Sequence, residues 1–360
     1  MKRARLLLFG AAALIGAAAI AVVALQRPAP MREAAIIDAP VFPDITPRLA
    51  EAQRIELRRH DGAVTLVRKD GAWVIAEKHD YPARAERVRE VFTGLAELRL
   101  VEERTGNPEL FARLGLEDVT VAGGTSQLLA VKDGSGGTIA ELIVGRRRIR
   151  TAGNLPEAIY IRRPGESRTY LAEGSLRVDT DPLLWVEREV LDIKRQRVAR
   201  VTTRREGAEP VTVVRADPAA EQASVADPPE GFRPEQHKVD DPPRALEWFS
   251  FNDVRPAAEL AAAEMLGEAR YVTFDGLRLA IRVVKADDKR WAIVSAEWAE
   301  PDAPLAGNLP EQIRTPAAAR EEAERLARHL GPWAFQIADW KADVLTYRLE
   351  DLRAAAENPS

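Results

Sequence analysis

The four histidines are the first side chains to consider, because histidine serves both as a metal ligand and as a proton carrier near neutral pH. They stand at positions 60, 79, 237 and 329, and no two of them have the spacing of metal ligands on one helix. His60 lies beside a predicted hairpin turn. His329 falls in the last turn of a predicted helix, where a cation favours the helix dipole. We interpret all four as solvated surface side chains.

Other patterns that carry chemistry are also missing. Neither a G-x-S-x-G nucleophile elbow nor a G-x-x-x-x-G-K phosphate loop occurs in the sequence. Gly134-Ser-Gly-Gly137 has no lysine after it and is interpreted as a hairpin loop. Glu102-Glu103 and Glu321-Glu322 are interpreted as solvated helix faces, and the basic run 146–150 as a solvated strand end. We therefore predict no catalytic, cofactor-binding or metal-binding residues, no cofactor, and a protein that is not an enzyme.

Tryptophan is the remaining candidate for binding, because it often anchors cores and interfaces. The sequence has seven tryptophans, at positions 73, 185, 248, 291, 298, 333 and 340. Most of them are predicted to lie in the core. Exposure of Trp333 or Trp340 would indicate a surface for a partner protein.

The composition is that of a folded protein with no footprint for nucleic acid. The chain has 360 residues, of which 46% are hydrophobic and 30% charged, which is enough to bury real cores. The formal net charge is −4, so a basic surface for nucleic acid is absent. The sequence has no cysteine, which excludes disulfides, thiolate metal sites and a lipid-modified cysteine.

An apolar segment near the N-terminus carries the strongest signal. Residues 6–25 contain no charge, and a helix of this length covers the hydrocarbon core of roughly 30 Å. Lys2, Arg3 and Arg5 precede it, which predicts a cytoplasmic stub over residues 1–5 and export of the rest. We predict a transmembrane anchor over residues 1–25, inserted in membrane lipid. The alternative is a cleaved signal peptide, and it also exports the chain.

The elements that follow are predicted from turns and periodicity. Residues 26–50 hold five prolines and are predicted to form an extended tether. Residues 54–76 are typical of a three-stranded meander with turns at Asp61-Gly62 and Asp70-Gly71. A helix follows over 88–98. A second, short helix is capped by Asn107 and ended by Gly115.

The remaining segments continue this mixture of strands and helices. Residues 127–172 return to strand patterns, and 217–243 are predicted to form a long exposed loop. Residues 317–330 are predicted to form a helix that begins after Thr315 and Pro316. A short helix is expected over 342–352, before a tail at 354–360. The predicted fold class is α+β, with antiparallel meanders and helices packed on one face.

Several segments recur in the same order along the chain. Ala152-Gly-Asn-Leu-Pro-Glu-Ala-Ile159 returns as Ala306-Gly-Asn-Leu-Pro-Glu-Gln-Ile313, identical at seven of eight positions. Weaker matches join 54–59 to 200–205, 64–68 to 211–215, 95–99 to 251–255, and Trp185 to Trp340. We infer two tandem related modules, over 51–197 and 198–353. The alternative is convergent strand and turn patterning.

The ordered segments also resemble a known family. They are Trp73-Val-Ile, Tyr81-Pro-Ala-Arg84, Asn107-Pro-Glu-Leu-Phe-Ala-Arg-Leu-Gly-Leu116, Ala158-Ile-Tyr-Ile-Arg-Arg-Pro-Gly-Glu166 and Gly331-Pro-Trp-Ala-Phe-Gln-Ile-Ala-Asp-Trp340. Together they resemble a family of uncharacterised membrane-anchored bacterial proteins, a domain of unknown function. That family is associated with ABC transport systems of the auxiliary gliding-motility type. The resemblance implies an envelope role linked to transport, and it brings no catalytic residues.

Three functions remain open at this point. The first is a non-enzymatic accessory protein of the bacterial inner membrane, with the bulk of its chain periplasmic and bound to subunits of an ABC-type transport system. The second is an envelope ligand-binding module, with a lipid or saccharide between the two halves. The third is a hydrolase whose carboxylates converge from distant segments.

Overall fold

Two large antiparallel sheets dominate the fold. The structure is a computed structural model, and it describes residues 38–148, 157–301 and 309–354. Within these ranges the chain forms a sheet of ten strands, a sheet of eight strands and a two-stranded ribbon. All strand pairs in them are antiparallel. The prediction of a mixed fold built on antiparallel strands is therefore confirmed.

The strands are numbered in chain order. The first sheet contains Ala39–Pro40 (β1), Ala52–Arg59 (β2), Gly62–Lys69 (β3), Ala72–Ile75 (β4), Tyr81–Pro82 (β5), Arg99–Glu103 (β6), Gln127–Asp133 (β7), Thr138–Arg148 (β8), Ala158–Arg162 (β9) and Thr169–Glu173 (β10). The ribbon pairs Glu189–Leu191 (β11) with Phe249–Ser250 (β15). The second sheet contains Val198–Arg205 (β12), Val211–Val214 (β13), Ser224–Val225 (β14), Asp253–Pro256 (β16), Glu264–Thr273 (β17), Leu277–Ala286 (β18), Lys289–Trp298 (β19) and Trp333–Ile337 (β20).

Helices cover parts of both sheets. The α-helices are Ile45–Leu49 (α1), Ala85–Glu97 (α2), Phe111–Leu114 (α3), Gln236–Arg244 (α4), Pro316–Leu330 (α5) and Asp339–Val344 (α6). Single 3-10 turns are Ala76–Lys78, Pro108–Leu110, Pro182–Trp185, Arg195–Arg197, Ala257–Leu260 and Leu349–Leu352.

The predicted meander is confirmed as β2, β3 and β4. Asp70 and Gly71 both have positive φ, 49° and 82°, as a tight two-residue hairpin requires. The first hairpin uses a different loop, because Gly62 already pairs with Arg59. The two loop residues are therefore His60 and Asp61, one position earlier than the Asp-Gly pair of the sequence.

The predicted helix ends are confirmed where the capping residue lies within one turn of the helix that it caps. The Asn107 side chain accepts a hydrogen bond from the amide of Glu109 at 3.1 Å, and Gly115 ends α3 with a φ of 68°. Thr315 caps α5 by accepting from the amide of Ala318 at 3.3 Å. Each signal involves residues within one turn of the helix, so no knowledge of the distant chain is needed.

The last part of the predicted tether is folded, and the prediction is wrong there. Residues 39–50 form β1, at the edge of the first sheet beside β6, and then α1. Pro47 lies in the first turn of α1, where the helix needs no backbone N–H. Three apolar side chains of this segment are buried in the core: Val41, Ile45 and Leu49. The earlier part, residues 26–37, lies outside the described residues.

Two further segments differ from their predictions. The stretch 217–243 is not one long loop, because it contains β14 and most of α4, and Val239 of that helix is buried. The helix expected over 342–352 divides into the end of α6 and a 3-10 turn at Leu349–Leu352. Both segments rest on the core formed by Val211, Val213 and Leu352, which joins residues far apart in sequence.

The two sheets share one strand order. From one edge, the first runs β4, β3, β2, β7, β8, β9, β10, β6, with β5 and β1 added at its ends. The second runs β14, β13, β12, β17, β18, β19, β20, β16. Each strand of the second sheet thus has the same position in its sheet as the strand of the first sheet whose number is smaller by ten. For example, β12 corresponds to β2 and β17 corresponds to β7. This agreement supports the hypothesis of two tandem modules.

The strongest sequence match does not follow this correspondence. Residues 152–156 and 306–308 lie outside the described residues. Of the remainder, 158–159 belong to β9, whereas 312–313 precede α5 and belong to no strand. The duplication therefore stays a prediction, and it rests on strand order more than on this motif.

The two halves share a continuous hydrophobic core. At their junction Tyr81, on the edge strand β5, packs edge-to-face against Phe251 and Trp333, with ring centroids 5.7 and 4.9 Å apart. The Nζ atom of Lys78 lies 2.7 Å from Oδ1 of Asp253 across the same junction. Side chains therefore fill the space between the halves at this point.

No membrane-spanning helix was found in the part of the chain that the structure covers. The predicted anchor, residues 6–25, lies outside that part. The anchor stays a prediction from the sequence.

Candidate interaction surface

The four histidines lie on different elements of the fold: His60 and His79 in separate turns, His237 in α4 and His329 in α5. The Nδ1 atoms of His79 and His237 lie 3.3 and 3.4 Å from carboxylates of Glu259 and Glu235. Burial, and secondarily the nearby Arg325, lower the pKa of His329. Among the described residues, no group of histidine and acidic side chains could hold a metal ion.

The two acidic pairs are not both solvated helix faces, and the prediction is wrong in two respects. Glu102 and Glu103 lie on the strand β6, and Glu102 binds Arg104 at 2.8 Å. Glu321 is exposed on α5, but Glu322 is buried. Helical spacing places Glu322 on the inner face of α5, where it reaches cations from other parts of the chain.

Glu322 belongs to a buried ion cluster. The guanidinium of Arg197 lies 2.8 Å from Oε2 of Glu322 and 3.0 Å from Oδ2 of Asp275. Arg314 contributes Nε to Glu322 at 3.0 Å and its amide to Asp275 at 2.9 Å. Burial alone would lower the pKa of Arg197, but hydrogen bonds to the two carboxylates outweigh it and raise the pKa.

The carboxylates and Arg197 of this cluster are buried, whereas the Arg314 side chain is 46% exposed. The Asp275 side chain is 0% exposed and the Arg197 side chain 4%. The hydrolase hypothesis expects two converging carboxylates, but in this cluster both are paired with arginines. The cluster fits a structural role, which is to hold α5 against the turn between β17 and β18.

The other sequence motifs also have local partners. Asp133 closes the loop at 134–137 by accepting from the amides of Ser135 and Gly137 at 2.8 and 2.9 Å. The backbone amides that could bind a phosphate therefore already donate hydrogen bonds to the carboxylate of Asp133. In the basic run, Arg147 donates to the carbonyl of Leu176 at 3.4 Å, and Arg150 lies outside the described residues.

Two tryptophans are exposed, and they are the most distinctive surface feature. Trp248 is 66% exposed and Trp340 is 64% exposed, whereas Trp185 and Trp291 are fully buried. Trp333 is half-buried at the junction of the halves. Trp73, Trp298 and Trp333 are partly buried against the core, so only Trp185 and Trp291 lie fully inside it, as was expected of most tryptophans. Exposed Trp340 meets the condition set for a partner surface.

Lys341 ties the segments that carry these two rings together. Its Nζ atom donates to the carbonyl of Ala245 at 3.1 Å. The same atom lies 4.7 Å from the Phe249 ring centroid and 5.2 Å from the Trp340 centroid. On the other segment, Lys194 Nζ lies 4.8 Å from the Trp248 centroid. We call Trp248, Trp340 and Lys194 the tryptophan surface, and the buried Lys341 connects the segments that carry its two rings.

The backbone at Trp248 is strained. Its φ is 47°, in the left-handed region that bulky residues seldom adopt. The amide of Trp248 donates to Oδ1 of Asp192 at 3.2 Å, which holds the turn in place. Such strain tends to persist at functional positions, where the surrounding structure maintains it. The sequence gives no sign of this conformation, because it depends on contacts between distant segments.

The chain is thus an antiparallel two-sheet protein with an exposed aromatic surface, and comparison assigns it to a family. Residues 73–266 match the family described as a domain of unknown function, DUF4340. This match covers more than half of the chain, so the protein belongs to that family. No curated protein and no solved structure matches it.

Proposed function

We propose that the protein is a non-enzymatic accessory subunit that binds partner proteins through the tryptophan surface. The exposure of Trp248 and Trp340 carries this proposal. Tryptophan is enriched among the residues that dominate binding energy, and its side chain offers about 150–250 Å² of surface to a partner. The strained backbone of Trp248 supports the same reading, because burial in a monomer core does not account for it.

The partners that we propose are subunits of an ABC-type transport system. The family resemblance of the sequence motivates this choice. Residues 6–25 would anchor the chain in the bacterial inner membrane, and both halves would then lie on the periplasmic side. In that position the tryptophan surface can meet the extracytoplasmic parts of a transporter.

A ligand-binding module is the less favoured alternative. It needs a cleft between the halves for a lipid or saccharide, but Tyr81, Phe251 and Trp333 fill the junction. Four surface cavities in the described ranges are each lined by one half of the chain. None of these four offers the shared site that the alternative requires.

Affinity purification from mildly solubilised membranes, after crosslinking in cells, tests the proposal. We expect the full chain to recover transport subunits. The double variant Trp248→Asn, Trp340→Ser should reduce this recovery about tenfold or more, because a tryptophan hot spot contributes about 2 kcal/mol or more. Asparagine is chosen at 248 because it tolerates a positive φ.

The matched control removes two other exposed apolar side chains. Val121 and Leu184 are 48% and 47% exposed and lie outside the tryptophan surface. Changing both to serine should leave recovery unchanged. Recovery of the wild-type protein alone, or equal recovery with the tryptophan variant, would contradict the proposal.

A further inference from the structure

Five arginines lie on the outer face of the second sheet. They alternate along their strands with buried residues such as Val201, Tyr271 and Ile281, so their side chains share the face turned away from the core. We call them the arginine face: Arg200 and Arg204 on β12, Arg270 on β17, and Arg278 and Arg282 on β18. Glu268 and Glu297 are the acidic residues interspersed with them.

Four of these arginines form no ion pair with a described residue, although glutamates lie opposite three of the five on neighbouring strands: Glu268 pairs with Arg204 and Arg282, and Glu297 pairs with Arg278. Arg270 alone of the five forms an ion pair in the described part of the chain, through Nε at 2.9 Å from Oε1 of Glu268. The Nε atom of Arg278 is shielded from solvent and has no hydrogen-bond acceptor among the described residues. A surface cavity of about 400 Å³ lies beside them, lined in part by Arg270 and Arg278 and also by the carboxylates of Glu268 and Glu297. Within the face, Arg200 and Arg204 on β12 therefore lie outside this mixed-charge cavity and form no ion pair with a described residue.

The first sheet contains the same arrangement with its anion in place. Strand β2 lies between β3 and β7, as β12 lies between β13 and β17. On β2 the carboxylate of Glu56 is buried between Arg54 and Arg58, with Nε of Arg54 at 2.8 Å and Nη2 of Arg58 at 3.0 Å. Lys132 adds a third contact from the neighbouring strand β7 at 3.1 Å. Three cations thus hold one carboxylate on this face.

The second sheet keeps the arginines and lacks the carboxylate. Residues 54–59 read Arg-Ile-Glu-Leu-Arg-Arg, and residues 200–205 read Arg-Val-Thr-Thr-Arg-Arg. Thr202 therefore stands where Glu56 stands, between Arg200 and Arg204. On the strand beside it, Arg270 is the direct partner of Thr202, whereas the partner of Glu56 is Ala130. Three arginines thus surround Thr202, as three cations surround Glu56, and one of them, Arg270, is paired with Glu268.

We propose that the arginine face binds an acidic segment of a partner protein, with a carboxylate held over Thr202 between Arg200 and Arg204. A protein carboxylate is the occupant because Glu56 shows what these paired arginines hold. Guanidinium groups bind carboxylates with strong, directional hydrogen bonds. This site is distinct from the tryptophan surface. It would give the protein a second contact, with a partner segment that is negatively charged.

Binding of a fluorescein-labelled octaglutamate peptide to the full chain in mild detergent tests the site. Fluorescence anisotropy should show saturable binding that weakens as salt is added, because exposed charges are screened. Thr202→Glu places an intramolecular carboxylate where the peptide would bind. It should weaken binding about tenfold or more, as expected for loss of a charge-assisted contact. Thr202→Gln, of equal size and without charge, should bind as the wild type does.

Two control variants separate this site from the rest of the protein surface. Arg113 and Arg328 are exposed outside the arginine face, and reversing both to glutamate should leave peptide affinity unchanged. The variant Trp248→Asn, Trp340→Ser should also bind the peptide normally, so failure of the tryptophan surface and failure of this site are distinguishable. Equal binding by Thr202→Glu and the wild type would overturn the proposal. So would absence of peptide binding, or binding to phosphatidylglycerol vesicles in its place.

Discussion

Lys341 shows how one residue can organise a surface. Its stem and ammonium group are buried, the ammonium donates to the carbonyl of Ala245, and aromatic rings lie on two sides of it. A buried ammonium group destabilises the fold unless contacts of this kind compensate for its lost hydration. Lys341 therefore joins the turn that carries Trp248 to the helix that carries Trp340.

The titration of Lys341 gives a prediction with a defined sign. Burial lowers its pKa below the ordinary value of 10.5. Between the two values the unfolded chain binds more protons than the folded chain, so stability should rise with pH in that range. Lys341→Met should remove this rise. The free energy of unfolding of the full chain in mild detergent, measured from about pH 8 to about pH 10, tests it.

The exposed Lys289→Met is the control for this comparison. Its stability curve should run parallel to that of the wild type across the same pH range. If the curve of Lys341→Met also ran parallel to the wild type, the buried ammonium group would not be titrating as described.

For single residues, the sequence shows which chemical groups are present but does not show whether each side chain is buried or exposed. The spacing of the histidines in the sequence excluded paired ligands on one helix, but it did not determine where the four side chains lie in the fold. The burial of Glu322 and the exposure of Trp248 were not predicted, because each depends on which distant segments pack against the residue. A charged residue on an amphipathic helix and a tryptophan in a turn look alike in sequence whether they are buried or exposed.

Helix α5 is held to the second sheet by polar as well as apolar contacts. Its inner face buries Ala319, Ala323 and Leu330, and Glu322 enters the ion cluster with Arg197 and Asp275. A buried ion pair of this kind is costly to break, because removal of one partner leaves the other charge without compensation.

We therefore expect Arg197→Met to destabilise the fold strongly. Removing the arginine leaves Asp275 and Glu322 buried together, and the loss should be about 3–5 kcal/mol. Arg328→Met, also on α5 but with a side chain that is 72% exposed and contacts only Glu324 among the acidic residues, should change stability by less than about 0.5 kcal/mol. Urea unfolding of the full chain in mild detergent compares the two variants. A loss for Arg197→Met as small as that for Arg328→Met would show that the cluster does not hold α5 in place.

Elements with strong local signals were predictable, and elements defined by tertiary contacts were less so. The meander β2–β4 and helix α5 follow from turn residues, caps and periodicity within a few residues. Residues 39–50 were misjudged because their prolines suggested a tether. Their apolar residues at 41, 45 and 49 have the spacing of one helical face, and that signal was available in the sequence.

At the scale of the whole molecule, two sheets of the same strand order share one core. The arrangement supports an origin by tandem duplication, although the longest repeated motif does not occupy equivalent places. The two sheets differ at one position of their outer faces. Glu56 pairs with two arginines in the first sheet, whereas Thr202 stands between two arginines in the second.

We propose that the membrane-held chain presents both halves outside the cytoplasm. The absence of cysteine from the sequence allows a direct measurement, because any single introduced cysteine is the only thiol. Val121→Cys places a thiol at an exposed position of the first half. Ala4→Cys places one in the predicted cytoplasmic stub.

Each variant is treated with a membrane-impermeant maleimide in intact spheroplasts and again after permeabilisation. We predict that Cys at position 121 is labelled in intact spheroplasts and that Cys at position 4 is labelled only after permeabilisation. Labelling of position 121 only after permeabilisation would contradict the account, because the folded halves would then lie on the cytoplasmic side of the membrane.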